Sequence, residues 1–300
     1  MASPSDLAVS EMDFDALPER SWVDRIKDTA RKKPLGAVSA CAVIVMVLLA
    51  ALANIITFYD PVQNAFDSMH VAPGAAHWFG TDQFGRDIFT RIVFGARTAL
   101  FVGFSASILG STAGLILGVG SAYFGGRFDL IFQRFMDIFI SFPLIIMALS
   151  VVSIFGTGTQ NVILAITIPL IPRCARVVRS SALAIREIPY VDAARALGFA
   201  HVRIIFRHMI PNVMAPYLIM LTAFLGQAIL LEASLSYLGL GVQEPTPAWG
   251  LMLQGGAEEY AESAPWIPVF PGLAITAAVF AFNLFGDAVR DTLDPRLRSE

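Results

Sequence analysis

The chain has 300 residues, of which 56% are hydrophobic and 15% are charged, and its mean hydropathy is +0.65. A soluble domain carries about 25% charged residues, so this composition excludes an ordinary soluble protein and indicates one that folds in a bilayer. The formal net charge of −3 gives no sign of a nucleic-acid partner.

Residues 1–34 are expected to form a cytosolic tail. Its first 19 residues contain five acids and no base, and the stretch that follows carries six cationic side chains up to Lys33. No charge occurs from Pro34 to Tyr59, and this run is long enough to cross about 30 Å of hydrocarbon. Residues 35–59 are therefore predicted to be the first transmembrane helix.

Residues 60–97 are predicted to be an extracytoplasmic segment. Within it, Asp82 with Arg86 and Asp87 with Arg91 stand four residues apart, a spacing at which opposite charges favour a helix. The stretch 77–97 is accordingly expected to form a helix that lies at the membrane interface.

Residues 98–289 are predicted to form a core of five further transmembrane helices. The uncharged run 98–126 gives the second helix, and its small residues suit close packing against other helices. The uncharged run 138–172 is interrupted at Gly156–Asn161, so it predicts a third and a fourth helix, and the fourth extends beyond Arg179. Residues 213–231 and 265–286 give the fifth and sixth helices, and residues 290–300 a cytosolic tail.

Lysine and arginine fix the expected orientation. With the N-terminus inside, 18 of the 21 basic residues lie in cytoplasmic segments, as the positive-inside tendency requires. Both termini and a loop covering residues 181–212 are then cytoplasmic. The outer segments carry eight acids against three bases, which suits contact with an extracytoplasmic binding protein, although a solvated acidic surface explains the same pattern.

The polar stretch Glu187–Asn212, here called the elbow, stands out between long apolar runs. Pro189 is suited to start a short helix and Gly198 to end it, and a second helical pattern closes at Pro211. Four residues of the first helix have the spacing of a single face: Tyr190, Ala193, Ala194 and Leu197. Val202, Ile205, Phe206 and Met209 are expected to share one side of the second.

The elbow resembles the "EAA" loop of ABC importer permeases. The shared pattern is Asp192-Ala193-Ala194, Gly198 after three further residues, and a close from His208 to Pro211, with Asp192 and His208 departing from the commonest residues. In that family the loop is the coupling helix that docks into the ATPase subunit. The resemblance implies ATPase-coupling roles for Tyr190, Asp192, Ala193, Ala194, Leu197, Gly198, His208 and Pro211.

Three other stretches resemble the second, or C-type, permease of dipeptide and oligopeptide importers. They are FGTDQFGRDIFTRIVFGART at 79–98, LEASLSYLGLGVQEPTPAWG at 231–250 and LFGDAVRDTLDPRLR at 284–298. The resemblance covers about residues 75–298 and implies an all-α, six-helix protein of the type I importer permease fold in the bacterial inner membrane. Nickel importers have a similar permease, so nickel or another small solute is the alternative cargo.

The resemblance also implies the partners and the energy source. These are a second, homologous permease subunit, two P-loop ATPase subunits that carry ATP and magnesium, and a solute-binding protein. This chain has no G-x-x-x-x-G-K-[ST] loop, and no zinc or nucleophile motif is visible, so we expect it to bind no cofactor or metal and to catalyse nothing itself.

Three polar residues inside the apolar helices are candidates for the transport route, but the sequence does not decide between this role and others. Gln227, Glu232 and Asn283 are candidates to line it, because intramembrane polar side chains are often functional. Bonding between helices explains Gln227 and Asn283 equally, and a role at the interface or in capping the helix is favoured for Glu232. A stand-alone secondary transporter is the rival class, and it would show intramembrane acids or half-helices in repeated positions.

Overall fold

The structure, a computed structural model, describes residues 34–293. The described residues form helices and loops, with one isolated bridge between Thr81 and Asp87. The main helices are α1 Pro34–Ala51, α2 Ile88–Phe124, α3 Gly126–Ser141, α4 Leu144–Phe155, α5 Thr159–Arg186, α6 Pro189–Ala196, α7 His201–Tyr237, α8 Trp249–Ala257 and α9 Trp266–Leu293. Two short helices, Ala53–Ile56 and the 3-10 turn Phe66–Ser68, lie between α1 and α2.

The structure confirms the predicted all-α fold class, for which six spans were expected. Five helices, α1, α2, α5, α7 and α9, are long and apolar enough to cross a membrane, and α3 with α4 makes a sixth span if the bent pair counts as one. Of the predicted tails, 1–34 and 290–300, residues 1–33 and 294–300 lie outside the described residues, and residues 290–293 belong to α9.

The third span consists of two helices, where the sequence predicted one. The axes of α3 and α4 differ by 93° at Phe142–Pro143. Proline disfavours helical backbone at the residue before it, and Phe142 is accordingly extended, with ψ 137°. Carboxylates of α3 hold it against α5, because Asp129 pairs with Arg179 and Asp137 with Arg176.

The interfacial helix predicted over 77–97 is wrong in its first half. Gly85 has φ +73° and turns the chain back, so that the helix begins only at Ile88. The Asp87 side chain accepts a hydrogen bond from the Thr90 amide at 2.8 Å and so caps α2. The pair predicted between Asp87 and Arg91 does not form, because Arg91 turns to Asp82 and to Glu244 instead.

α2 and α5 form the main helix pair of the bundle, and glycines set how close they come. Gly110, Gly114 and Gly118 stand four residues apart on the face of α2 that meets α5. A Cβ atom placed on Gly118 would lie 2.5 Å from the Ala175 carbonyl oxygen. The two backbones therefore touch directly, as small residues permit in membrane helices.

The buried side chains form two clusters. One joins α2, α4, α5 and one side of α7 to the elbow, and the other joins α1, the first half of α2, another side of α7, α8 and α9. α1 contributes little, since only Ser39 and Ala50 of its residues are buried. Arg97 of α2 instead holds the end of α1, by donating hydrogen bonds to the Ala50 and Ala51 carbonyls.

Candidate functional site

The first helix of the elbow, α6, has the predicted start and stop. Pro189 is its first residue, and Gly198 follows its end with φ +74°. The Gly198 amide donates to the Arg195 carbonyl at 2.9 Å and the Phe199 amide to the Ala194 carbonyl at 3.2 Å. These two bonds make a Schellman motif, so glycine occupies the position that needs a left-handed backbone.

The four residues predicted to share one face of α6 are divided by the structure. Ala194 is buried, and with Val191 it packs into the core of the bundle. Tyr190 and Leu197 point outward, with 37% and 73% of their area exposed, and Ala193 is exposed as well. The inward face is therefore set by Val191 and Ala194, a pair that the sequence pattern did not single out.

The second half of the elbow is divided in the same way. Ile205 and Met209 are buried, whereas Val202 and Phe206 are 66% and 55% exposed, so the prediction that all four share a side is wrong. The backbone widens into a π-helical turn at Ile205–Met209 before the 3-10 turn that contains Pro211. This local change of winding rotates the exposed residues away from those on the core.

Tyr190 joins the two halves of the elbow. Its hydroxyl donates to the His208 carbonyl at 3.0 Å and accepts from the Asn212 side-chain amide, also at 3.0 Å. The Asn212 amide donates to the same His208 carbonyl at 2.7 Å. His208 takes part through its backbone and a ring contact with Tyr190, and the helix–glycine–helix unit is thereby closed into one body.

Two residues anchor the elbow to the end of α2. The Tyr123 hydroxyl lies 2.7 Å from Nδ1 of His201, and the Arg195 guanidinium lies over the Tyr123 ring at 5.0 Å. Arg195 also pairs with the exposed Asp192 at 3.0 Å. A displacement of the elbow would therefore be passed to α2, and along α7 into the bundle.

The outward side of the elbow is an apolar surface. We call it the elbow surface, and it consists of five large side chains that are each at least 37% exposed: Ile188, Tyr190, Leu197, Val202 and Phe206. Arg203 and Arg207, in the same stretch of chain, are exposed as well. An apolar patch with a polar rim is typical of protein–protein contact.

Of the three candidate route residues, the structure separates Glu232 from the other two. Glu232 is 1% exposed, and one carboxylate oxygen accepts a hydrogen bond from Ser236 at 2.7 Å while the other has no hydrogen-bond partner. It lies within the protein rather than on a groove.

Asn283 lines a cavity of about 580 Å³ between α5, α7 and α9, on the same side of the bundle as the elbow. Gln227 stands four residues after Ala223, which lines this cavity, and three before Leu230, which lines a second groove of about 380 Å³ near the far end of α7. Residues at these spacings share a helix face, so Gln227 lies between the two openings.

No group of three or more metal-ligating side chains occurs among residues 34–293. Over the same residues, Cys41 and Cys174 are free thiols, the first exposed and the second buried.

The broken six-span bundle with an exposed elbow defines a polytopic membrane protein of the transport-permease class. Residues 110–299 match the family described as the binding-protein-dependent transport system inner membrane component, and the chain belongs to that family. The predicted family and the predicted location in the bacterial inner membrane are thus confirmed.

Two named relatives extend the likeness over most of the chain. The dipeptide transport system permease protein DppC of Alkalihalophilus pseudofirmus is 42% identical over 282 residues, which cover 93% of this chain and 91% of that protein. The glutathione transport system permease protein GsiD of Escherichia coli is 38% identical over 270 residues, covering 89% and 88%.

The fold is similar to a chain of the MetNI methionine ABC transporter solved in an inward-facing conformation. The TM-score is 0.54 at 21% sequence identity, and the match covers 69% of this chain and 98% of that chain.

Proposed function

We propose that this chain is one of two permease subunits of an ATP-driven importer, and that it translocates dipeptides or oligopeptides delivered by a solute-binding protein. The relatives support this choice of cargo, since two proteins about 40% identical over most of the chain are named for dipeptide and glutathione transport. Glutathione is itself a small peptide.

In this proposal the elbow faces the cytoplasm and the elbow surface is the contact with an ATPase subunit. The observation that carries it is the large apolar exposure of Leu197, next to a backbone that is fixed by the Gly198 motif and by Tyr190. Large apolar side chains held rigidly on a surface lose little conformational entropy when a partner covers them. ATP and magnesium would be bound by the partner, and this chain would catalyse no reaction.

Transport would proceed by alternating access. When the ATPases close, they would move the elbow, and the motion would pass along α7, which carries Gln227 between the two openings. Asn283 would face solute leaving by the 580 Å³ cavity. Glu232 would not touch solute, since it is buried inside the protein.

The test is a pair of leucine substitutions in the complex co-expressed with its neighbouring permease, ATPase and binding-protein genes. Burying a leucine contributes about 1.5–3 kcal/mol, so we expect Leu197→Asp to weaken ATPase association by about tenfold or more. Leu35→Asp is the control, because Leu35 is 69% exposed but lies at the start of α1, away from the elbow.

Co-purified ATPase and ATP-dependent uptake of a labelled dipeptide into proteoliposomes are the measurements. The coupling role fails if Leu197→Asp retains its ATPase subunits and its uptake. The importer assignment fails if the unaltered complex takes up no dipeptide with its binding protein and ATP present.

A further inference from the structure

The side of the bundle opposite the elbow contains a buried ion network that has no role in the proposed function. Arg86 and Arg91 are only 5% and 1% exposed, and both face the Asp82 carboxylate. The second carboxylate of the network comes from a distant part of the chain: Glu244, in the loop 238–248 between α7 and α8.

Glu244 is held by both arginines at once. Arg86 donates to its two carboxylate oxygens at 2.8 Å and 3.3 Å, and Arg91 donates at 3.4 Å. Burial alone would lower the pKa of the Arg86 guanidinium, but hydrogen bonding and attraction from Glu244 and Asp82 raise it above its ordinary value. Glu244 and Asp82 therefore both stabilise the charge on Arg86.

Withdrawal of Glu244 would leave two buried guanidinium groups facing one buried carboxylate. An uncompensated buried charge is strongly unfavourable, whereas Glu244 itself, with a side chain 44% exposed, could be solvated readily. Separating Glu244 from the arginines is therefore unfavourable mainly because two buried guanidinium groups would lose a counter-charge. The segment that contains Arg86, residues 57–87, is thus expected to move together with the 238–248 loop.

The 238–248 loop is in turn folded tightly onto the end of α7. The Val242 amide donates to the Ser236 hydroxyl at 3.2 Å, and a Cβ atom on Gly241 would lie 2.0 Å from that hydroxyl oxygen. The neighbouring residues Ala233, Ser234 and Tyr237 line the 380 Å³ groove. Contacts therefore run without a gap from residues 57–87, through Glu244, to the wall of that groove.

We propose that Glu244 is a positioning residue, which joins the 57–87 segment to the end of α7. A protein that docks on that segment would thereby change the shape of the 380 Å³ groove. The inference rests on the proposed function, in which the docking protein is the solute-binding protein and the groove is the outer part of the route. Without the bridge from Glu244, docking would still occur but would no longer be passed to α7.

The experiment compares Glu244→Gln with Glu262→Gln in the full complex in proteoliposomes. Glu262 is an exposed acid in the loop that precedes α9, and the same substitution there removes the same charge. A hydrogen bond to a charged group biases an equilibrium by about tenfold or more, so we expect Glu244→Gln to reduce the stimulation of ATP hydrolysis by dipeptide-loaded binding protein about tenfold. Basal hydrolysis is expected to be unchanged, and Glu262→Gln to behave as the unaltered complex does.

Glu244→Asp retains the charge with a shorter side chain, so it is expected to recover part of the stimulation. A merely structural role would lower basal and stimulated hydrolysis together, and full stimulation in Glu244→Gln would overturn the proposal.

A second measurement is independent of transport. Spin labels replace Phe66 and Leu238, which are 65% and 49% exposed, in a background in which Cys41 is replaced by serine. The distance distribution between the labels is expected to be narrow in the parent and to broaden in Glu244→Gln. Equal widths would refute the link, whereas an unaltered complex that binding protein does not stimulate would count against the proposed function alone.

Discussion

Replacement of Gly118 by alanine tests whether the backbones of α2 and α5 are in direct contact. An ideal Cβ on Gly118 lies 2.5 Å from the Ala175 carbonyl oxygen and 3.2 Å from the Ala175 Cα, whereas ordinary contact begins at 3.4 Å. The neighbouring atoms are backbone, so the helices must separate by roughly 0.9 Å to admit one methyl group in a closely packed interior.

The expected change in the free energy of unfolding of Gly118→Ala is the difference between two effects. Overpacking of this kind costs about 1–3 kcal/mol, while alanine in place of glycine contributes about 0.5–1 kcal/mol in a helix. The expected net loss for Gly118→Ala is therefore about 1–2 kcal/mol. Gly120→Ala is the matched control on the same helix, because a Cβ there meets nothing within 4 Å, and it should be neutral or slightly stabilising.

Both variants would be unfolded by increasing amounts of SDS in mixed micelles, with helicity as the signal, and by heat with the monodisperse fraction as the signal. The two substitutions are expected to differ by about 2 kcal/mol in their effect on the free energy of unfolding, Gly118→Ala lowering it and Gly120→Ala leaving it unchanged or raising it slightly. Equal stabilities would show that α2 and α5 are separated by more than the structure describes.

Two further substitutions test single contacts. Gly198→Asn should keep most ATP-driven uptake and Gly198→Val should lose it, since the left-handed backbone costs a residue with a Cβ about 1–2 kcal/mol and asparagine tolerates it best; comparable uptake by both would contradict this. Arg97→Lys keeps the charge but loses the paired hydrogen bonds to the Ala50 and Ala51 carbonyls, so amide hydrogen exchange over residues 50–56 should speed up about tenfold, and unchanged exchange would show that α1 is held otherwise.

The sequence alone predicted the helices wherever apolar length decided the outcome. The break at Gly156–Asn161, the extension of α5 past Arg179 and the stop of α6 at Gly198 follow from hydropathy and from backbone preferences of single residues. These are local properties, and they do not depend on which partners a side chain finds.

The errors arose where a side chain had a choice of partners. The spacing of Asp87 and Arg91 suits a helical pair, but Asp87 caps the helix and Arg91 reaches Glu244, which is 153 residues away in the chain. The faces of the second half of the elbow were misjudged for a different reason, because the π-helical turn at Ile205–Met209 changes the periodicity on which face assignment depends.

The arginines show most clearly why charge counting and structure give different information. A count treats each arginine alike, as a residue that sets orientation, yet Arg97 and Arg186 each donate to carbonyls at the end of a neighbouring helix, α1 and α2 respectively. Carbonyls at a helix end have no partner within the helix, and each of these guanidinium groups supplies one. These residues thus join one span to the next, so lysine at these positions would preserve the predicted orientation while weakening the contact between adjacent helices.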